Sequence, residues 1–215
     1  ATLAAVDGTS TNYTATIATN STDTQGNVAI SIAFSDLAGN AGDNVTATTN
    51  SSSVTYDRAV PTLSAVTVTS NNDNSAYAKE GDLVTLSFTS SENLQSDPPV
   101  TMDGNAATVS GSTTSWTAAY TMQSGDTEGD INFTIDFLDL ASNSGSQVTS
   151  LTSGDKIVYD ETVPTLPTVD ISSNNSNGAT FAKVGDVITI SVSASENIQT
   201  PTVTIAGNAA AIASG

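Results

Sequence analysis

The chain contains no cysteine and no histidine. Without cysteine it has no disulfides, no thiolate metal sites and no cysteine nucleophile. Without histidine it lacks the commonest general base and the commonest zinc ligand. A glycosidase built from carboxylates alone would need an aromatic-lined cleft, yet the chain has one tryptophan. We therefore predict that the protein is not an enzyme.

Positive charge is also scarce. The 215 residues include 4 basic and 22 acidic side chains, which gives a formal net charge of −18. Because there is no basic surface to neutralise phosphates, nucleic acid is excluded as an expected partner. Divalent cations are favoured instead. The sequence contains no apolar run of about 18 residues, so we expect no membrane insertion in this segment.

A repeat of about 103 residues organises the chain. The stretch Tyr56-Asp57-Arg58-Ala59-Val60-Pro61-Thr62-Leu63 returns as Tyr159-Asp160-Glu161-Thr162-Val163-Pro164-Thr165-Leu166. A proline stiffens the backbone at each copy. Three further motifs recur at a spacing of 103 or 104: residues 34–42 match 137–145, 78–82 match 182–186, and 91–95 match 195–199. The repeat predicts domains at residues 1–57, 58–160 and 161–215.

Within residues 58–160 the apolar side chains alternate with polar ones, which is the pattern of half-buried strands. No helical period is present. Seven short strands are predicted, marked by Val66 and Val68, Val84 to Phe88, Val100 and Met102, residues 106–109, Trp116 to Tyr120, Ile131 to Phe137, and Val148 to Tyr159. This pattern predicts an all-β fold of tandem seven-stranded Greek-key (Ig-like) β-sandwiches, with Trp116 in the core.

The two end segments are incomplete by this alignment. Residues 1–57 match the last three strands of a repeat, and residues 161–215 match the first three. Neither segment can bury both faces of a sandwich alone. One explanation is a longer chain, in which neighbouring repeats complete the ends and Ala1 falls in the middle of a repeat. The other is strand exchange, in which one subunit completes the next in a head-to-tail filament.

Carboxylates from distant parts of the sequence are predicted to meet at one end of the middle repeat. Asp57 comes from the linker, Glu92 follows the second strand, and Asp139 and Asn143 follow the sixth. Unpaired carboxylates repel one another, and Ca²⁺ suits flexible loop oxygens better than Mg²⁺ does. With the equivalent positions, the predicted calcium ligands are Asp36, Asn40, Asp57, Glu92, Asp139, Asn143, Asp160 and Glu196.

Each of these residues also has a simpler interpretation. Asp36 and Asp139 can cap turns, the junction aspartates can be ordinary surface acids, and the glutamates can be solvated. Recurrence at both junctions favours calcium. Asp126, Glu128 and Asp130 lie in the loop at the opposite end of the repeat, where we expect a turn.

The combined motifs resemble those of tandem bacterial immunoglobulin-like repeats. The motifs are Tyr-Asp-x-x-x-Pro, Lys-x-Gly-Asp before the second strand, Ser-Glu-Asn after it, and Asp-Leu-Ala-Gly-Asn after the sixth. Such repeats form the stalks of giant surface adhesins and other extracellular filaments, with calcium at the junctions between repeats. The resemblance implies ligand roles for Asp36, Asp139, Asp57 and Asp160. The middle repeat departs from the motif at Ser142, which replaces a glycine.

These observations together predict an extracellular, cell-surface structural protein, a calcium-stiffened spacer, stalk or filament shaft. Its expected partners are neighbouring repeats of the same chain or subunits of the same filament. A rival hypothesis is an adhesive module that binds a carbohydrate or a receptor, and a glycan receptor elsewhere in the full protein is compatible with both. Such a module would need a ligand patch on one repeat, whereas the repeats are nearly identical.

Overall fold

The computed structural model describes residues 2–5 and 11–213. The chain forms two compact units, residues 1–160 and 161–215. The regular elements of the described residues are all strands, in several mainly antiparallel sheets, as the apolar alternation predicted. Among these residues no helix is long and apolar enough to cross a membrane. The all-β prediction is therefore confirmed.

The first unit begins with two small sheets. Strands β1 (Thr2–Ala5) and β2 (Tyr13–Thr16) form an antiparallel pair. Strands β3 (Gly26–Asn27) and β4 (Thr55–Tyr56) form a second pair, which brings the linker towards the 20–27 segment. The Tyr56 hydroxyl donates to the Asn20 carbonyl at 2.8 Å. The middle repeat has the same bond at the same spacing, from Tyr159 to Gln123, also at 2.8 Å.

Ten strands follow in the middle repeat. They are β5 (Leu63–Ser70), β6 (Tyr77–Ala78), β7 (Leu83–Ser90), β8 (Val100–Met102), β9 (Asn105–Ala106), β10 (Thr108–Ser112), β11 (Ser115–Thr121), β12 (Gly129–Asp130), β13 (Phe133–Ile135) and β14 (Val158–Tyr159). They form three sheets, with orders β10-β11-β7-β5, β13-β8-β9 and β12-β14-β6. All pairs are antiparallel except β14 with β6.

The core of the middle repeat is built mainly from alternate residues of the β10-β11-β7-β5 and β13-β8-β9 sheets, with Ala78 and Tyr159 from the third sheet. Along β7 every second side chain is buried, because one face of the strand packs inward. One cluster joins buried residues of β5, β7 and β11 to buried residues of β8 and β13. Trp116 is 6% exposed and belongs to this cluster, as predicted. An apolar layer between two sheets is consistent with a β-sandwich.

The last two predicted strands differ from expectation. The run Ile131 to Phe137 forms only β13, and a short β12 precedes it. The run is interrupted where the Asn132 backbone exchanges hydrogen bonds with Asp103. The Val148 to Tyr159 run forms an isolated bridge between Val148 and Ile135 and then β14. Between them Thr152 donates its backbone N–H to the Val66 carbonyl, so this stretch reaches towards β5.

The described residues of the second unit form four strands in two antiparallel pairs. Strands β15 (Thr168–Ser173) and β16 (Ile188–Ser193) form one pair, and β17 (Thr204–Ile205) and β18 (Asn208–Ala209) form the other. The second pair matches β8 and β9 of the middle repeat at a spacing of 103. Backbone conformation recurs too, since Asp103 and Ala206 have φ angles of 45° and 48°.

Candidate metal centre

Three carboxylates meet at one end of the middle repeat. Asp57, Glu92 and Asp139 each place one oxygen within 4.8 Å of the other two. Oxygens on opposite sides of a Ca²⁺ ion, at about 2.3–2.6 Å from it, lie about 4.6–5.2 Å apart. The three oxygens can therefore contact a single ion. Among the described residues this is the only group of three such side chains, and we call it the acidic cluster.

Asp139 is held by the turn of residues 138–144. Its Oδ1 accepts backbone N–H bonds from Ala141 and Asn143, both at 2.8 Å, and its Oδ2 accepts from Asn143 Nδ2 at 2.7 Å. Aspartate favours such turns because its short side chain reaches the backbone two and four residues on. The sequence Asp-x-x-x-Asn therefore fixes the carboxylate locally. Asp139 is fully buried.

The loop of residues 91–99 brings Glu92 to this turn. Leu94 forms an isolated antiparallel bridge with Asp139, and Gln95 donates its backbone N–H to the Leu138 carbonyl at 3.0 Å. The Gln95 side chain also donates to Ser142 Oγ at 3.1 Å. The two loops thus pair as backbone segments, so the approach of Glu92 to Asp139 does not depend on flexible side chains alone.

The linker, residues 57–62, supplies the third carboxylate. Thr62 and Ser91 bond reciprocally: the Thr62 N–H donates to Ser91 Oγ at 3.0 Å, and the Ser91 N–H donates to the Thr62 carbonyl at 2.9 Å. At the other end of the linker, Asn143 Nδ2 lies 3.3 Å from the Asp57 carbonyl oxygen. Both loops of the cluster therefore contact the linker.

The reciprocal Thr62–Ser91 pair was missed at the sequence level. Thr165 and Ser195 repeat it in the second unit, with distances of 2.9 Å for both bonds. The signal was available, because Ser91 and Ser195 stand directly before the recurring Glu-Asn pair. Serine and threonine are so common in this chain that their recurrence alone gave little reason to single them out.

The electrostatics of the cluster are unfavourable without a cation. Burial raises the pKa of Glu92, and the nearby carboxylates of Asp57 and Asp139 raise it further. Among the described residues, none of these three carboxylates pairs with a lysine or arginine; Lys156, for example, pairs with Asp130 at 3.4 Å. Arg58 follows Asp57 in sequence, yet its Nη1 donates to the Ser21 carbonyl. The donor set consists of hard anionic oxygens and therefore fits calcium.

Asp36 and Asn40 repeat the turn but not the cluster. Asp36 Oδ1 accepts from the Ala38 and Asn40 backbone N–H groups, and Oδ2 accepts from Asn40 Nδ2 at 2.7 Å. These bonds, that of the Asn40 side chain first, lower the pKa of Asp36. Both residues are exposed. Among the described residues, no set of three acidic groups includes Asp36.

Asp160 and Glu196 belong to different compact units, and their ligand roles stay predictions. Glu196 is partly buried and its Oε1 has no hydrogen-bond partner. At the opposite end of the middle repeat, Asp126 accepts bonds from Asn105 Nδ2, the Tyr120 hydroxyl and the Gln123 backbone N–H. These contacts fit the turn expected for that loop.

Comparison with known proteins does not assign the chain to a family. No family model matches the sequence. No curated protein and no solved structure matches it either.

Proposed function

We propose that the protein is an extracellular structural repeat array, a calcium-stiffened spacer, stalk or filament shaft of a bacterial cell surface. The observation that carries the proposal is the convergence of Asp57, Glu92 and Asp139 within 4.8 Å of one another. One of these residues lies in the linker and two lie in loops of the following repeat. The cluster thus lies at a junction between copies of the repeat, where a bound ion would restrict motion between them.

The proposed fold is a tandem Greek-key, Ig-like sandwich. Two features support it. In the sheet β10-β11-β7-β5, strand β7 pairs with β11 although β8 and β9 of the second sheet lie between them in sequence, and in that second sheet β8 pairs with β13. The Val148 bridge to Ile135 extends that second sheet by one more segment. Crossovers of this kind between two facing sheets are typical of Greek-key sandwiches.

Calcium would stabilise the junction electrostatically and would also restrict its motion. The ion would be held by Asp57, Glu92 and Asp139, with water or loop carbonyls completing six to eight oxygen ligands. Bound calcium would neutralise two of the three negative charges. It would also join the linker to the 91–99 loop and the 138–144 turn. Fewer hinge motions would then remain at the junction.

The expected affinity is modest. Extracellular calcium modules of this type have dissociation constants of about 10⁻⁴–10⁻³ M. When the free ion is at about 100 times the dissociation constant, binding adds about 2.7 kcal/mol to the free energy of unfolding. Such a site would be filled where calcium reaches millimolar levels, which suits the proposed extracellular location.

Thermal unfolding with and without calcium tests the proposal. We expect calcium to raise the Tm of the wild-type protein and EDTA to reverse the change. Glu92→Gln should abolish most of the increase, since it removes one anionic ligand while keeping the size of the side chain. The matched control is Glu80→Gln, because Glu80 is an exposed glutamate outside the cluster; it should respond to calcium as the wild type does.

Small-angle scattering supplies a second readout. Calcium should narrow the distribution of molecular lengths, because it removes motion at the junction. If neither the Tm nor the scattering profile of the wild type responds to calcium, the calcium-stiffened array is wrong. If calcium raised the Tm of Glu92→Gln as much as that of the wild type, the ion would bind at a site other than the acidic cluster.

A further inference from the structure

The peptide unit between Asp57 and Arg58 is held by side chains from both sides of the junction. Its N–H group, on Arg58, donates to Gln25 Oε1 at 2.9 Å, and its carbonyl oxygen, on Asp57, accepts from Asn143 Nδ2 at 3.3 Å. Gln25 belongs to the segment before the linker, and Asn143 belongs to the turn that carries Asp139. Because a trans peptide unit is planar, two bonds to its opposite ends fix its orientation.

The residues before and after Asp57 both bond to the loop of residues 20–25. The Tyr56 hydroxyl donates to one carbonyl of this loop at 2.8 Å, and Arg58 Nη1 donates to the next carbonyl at 2.7 Å. Tyr56 and Arg58 therefore reach the preceding segment, whereas Asp57 reaches the acidic cluster of the following repeat. Side chains that alternate in this way are those of a strand.

The loop of residues 20–25 is a firm support, because its own side chains hold it together. Asp23 accepts bonds from the backbone N–H and the side-chain Nδ2 of Asn20, at 2.8 and 3.2 Å. Directly after Gln25, strand β3 pairs with β4, so the loop and the start of the linker also share backbone bonds. In that pairing Gly26 lies opposite Tyr56. The same antiparallel register continued by one residue places Gln25 beside the linker.

We propose that Gln25 is a positioning residue of the acidic cluster. Through the Arg58 N–H it fixes the peptide unit that follows Asp57, and so directs the Asp57 carboxylate towards Glu92 and Asp139. Its effect on a bound ion rests on the proposed calcium function, whereas its hold on the linker involves no metal. The linker is then ordered before calcium binds, which lowers the entropic cost of binding.

Gln25→Met tests this role without a change of charge. Methionine has about the length of glutamine, but its sulfur is only a weak acceptor for the Arg58 N–H. Loss of a group that orients a metal ligand typically weakens binding about 10–100-fold. Because Asn143 still holds the other end of the peptide unit, we expect the calcium affinity of the full chain to fall about 10-fold. Isothermal titration calorimetry measures this change.

Gln25→Glu is the conservative variant that should rescue binding. A carboxylate keeps an acceptor oxygen for the Arg58 N–H, and glutamate stands at the equivalent position of the middle repeat, Glu128. Gln25→Glu should therefore bind calcium at least as tightly as the wild type. If Gln25→Glu lost as much affinity as Gln25→Met, the acceptor oxygen would not be the cause, and the positioning role would be wrong.

A distance measurement in EDTA tests the hold on the linker by itself. Because the chain contains no cysteine, Thr46→Cys and Ser153→Cys can each carry one nitroxide label. Both positions are exposed, one before the linker and one in the middle repeat. Pulsed electron paramagnetic resonance should give a narrow distance distribution in the wild type and in Gln25→Glu. The distribution should be broader in Gln25→Met, because the linker has lost one of its bonds to the preceding segment.

The matched control is Gln147→Met. Gln147 is an exposed glutamine whose side chain bonds to Asp136, outside the acidic cluster. This variant should leave the calcium affinity and the distance distribution unchanged, and circular dichroism should show all variants folded. Wild-type calcium affinity in Gln25→Met overturns the positioning role. A distance distribution in Gln25→Met as narrow as that of the wild type overturns the hold on the linker.

The positioning and the calcium proposals fail in distinguishable ways. A wild type that binds no calcium removes the metal site and with it the positioning of a ligand, while a broader distribution in Gln25→Met would still show the hold on the linker. Calcium binding of equal affinity in the wild type and in Gln25→Met would leave the metal site and remove the role of Gln25.

Discussion

The turns at residues 35–41 and 138–144 have the same hydrogen bonds in different surroundings. In both, an aspartate accepts two backbone N–H bonds and one asparagine side-chain bond. Asp139 is fully buried and lies beside Glu92 and Asp57, whereas Asp36 is exposed. Local sequence thus suffices to build the turn. Burial and the acidic cluster require a second loop and a linker.

The largest expected difference between the two regions concerns their phenylalanines. Phe137→Ala should lower the free energy of unfolding by about 3–5 kcal/mol, because it leaves a cavity in the core. Phe34→Ala should cost less than about 1 kcal/mol in monomeric protein, since half of that ring is already in water. Denaturant unfolding of both variants at low concentration measures the difference. Equal losses would mean that the Phe34 face is already covered.

A glycine lies against each of the two phenylalanine rings, and its substitution should change the free energy of unfolding less than removal of the ring does. A methyl group on Gly145 would overlap the ring of Phe137, and one on Gly42 would overlap the ring of Phe34. The buried Phe137 ring has nowhere to move, so Gly145→Ala should cost about 1–3 kcal/mol. The exposed Phe34 ring can turn aside.

Gly42→Ala should therefore be nearly neutral in the monomer, as measured by thermal unfolding. A large loss in Gly42→Ala would contradict the view that only the middle repeat has a packed core.

Much of the fold follows from the sequence. Strands with alternating apolar residues, such as β7 and β11, were predicted with their inward faces. The split of the sixth strand was not, because it depends on the Asn132 backbone bonding to Asp103, 29 residues away. The alternation of apolar and polar residues indicates which face of a strand is buried. It does not indicate where the pairing of that strand is interrupted by hydrogen bonds to another segment.

The candidate metal centre was also predictable only in part, because it depends on contacts between segments that are distant in sequence. The order of strands placed Asp57, Glu92 and Asp139 at one end, and the structure brings these three together. Asn143 lies with them, and its Nδ2 donates to Asp139 Oδ2. Asp36 and Asn40 have the motif without the cluster. A motif cannot indicate whether the loop opposite it is present.

The acidic cluster predicts a pH dependence for the metal-free protein. The pKa of Glu92 is raised above its ordinary value of 4.5 in the folded state. The folded protein then binds this proton more tightly than the unfolded chain does, so the contribution of Glu92 is full below pH 4.5. It is lost as the pH rises through the raised pKa. Urea unfolding of metal-free protein between about pH 4 and pH 7 should show this decline.

Glu92→Gln should remove that component of the decline and leave the rest of the pH profile unchanged. Asp36 should contribute to the pH dependence of stability with the opposite sign, because its pKa is lowered from 3.8. Its contribution is present above that value and is lost as the pH falls through the lowered pKa. An Asp36→Asn variant is therefore a control that should alter only the acidic end. Identical profiles for the wild type and Glu92→Gln would mean that neither burial nor the neighbouring carboxylates raise the pKa of Glu92.

The smallest expected effect comes from the one residue by which the two turns differ in backbone preference. Ser142 has a φ angle of 69°, where its equivalent Gly39 has 89°. A left-handed conformation costs a non-glycine residue about 1–2 kcal/mol, and part of this is offset because glycine has a more flexible unfolded chain. Ser142→Gly also loses the bond from Gln95 Nε2 to Ser142 Oγ. We expect a net gain of about 0.5 kcal/mol in the free energy of unfolding.

A double-mutant cycle would separate the strain at Ser142 from the hydrogen bond that its hydroxyl accepts. Gln95→Ala is made in the wild type and again in the Ser142→Gly variant, and chemical denaturation gives the free energy of unfolding of all four proteins. Because Ser142→Gly has already removed the acceptor of the Gln95 bond, Gln95→Ala should cost less in that background than in the wild type. If Ser142→Gly destabilises the protein by more than Gln95→Ala does, the serine is not strained, and the turn has adapted to it.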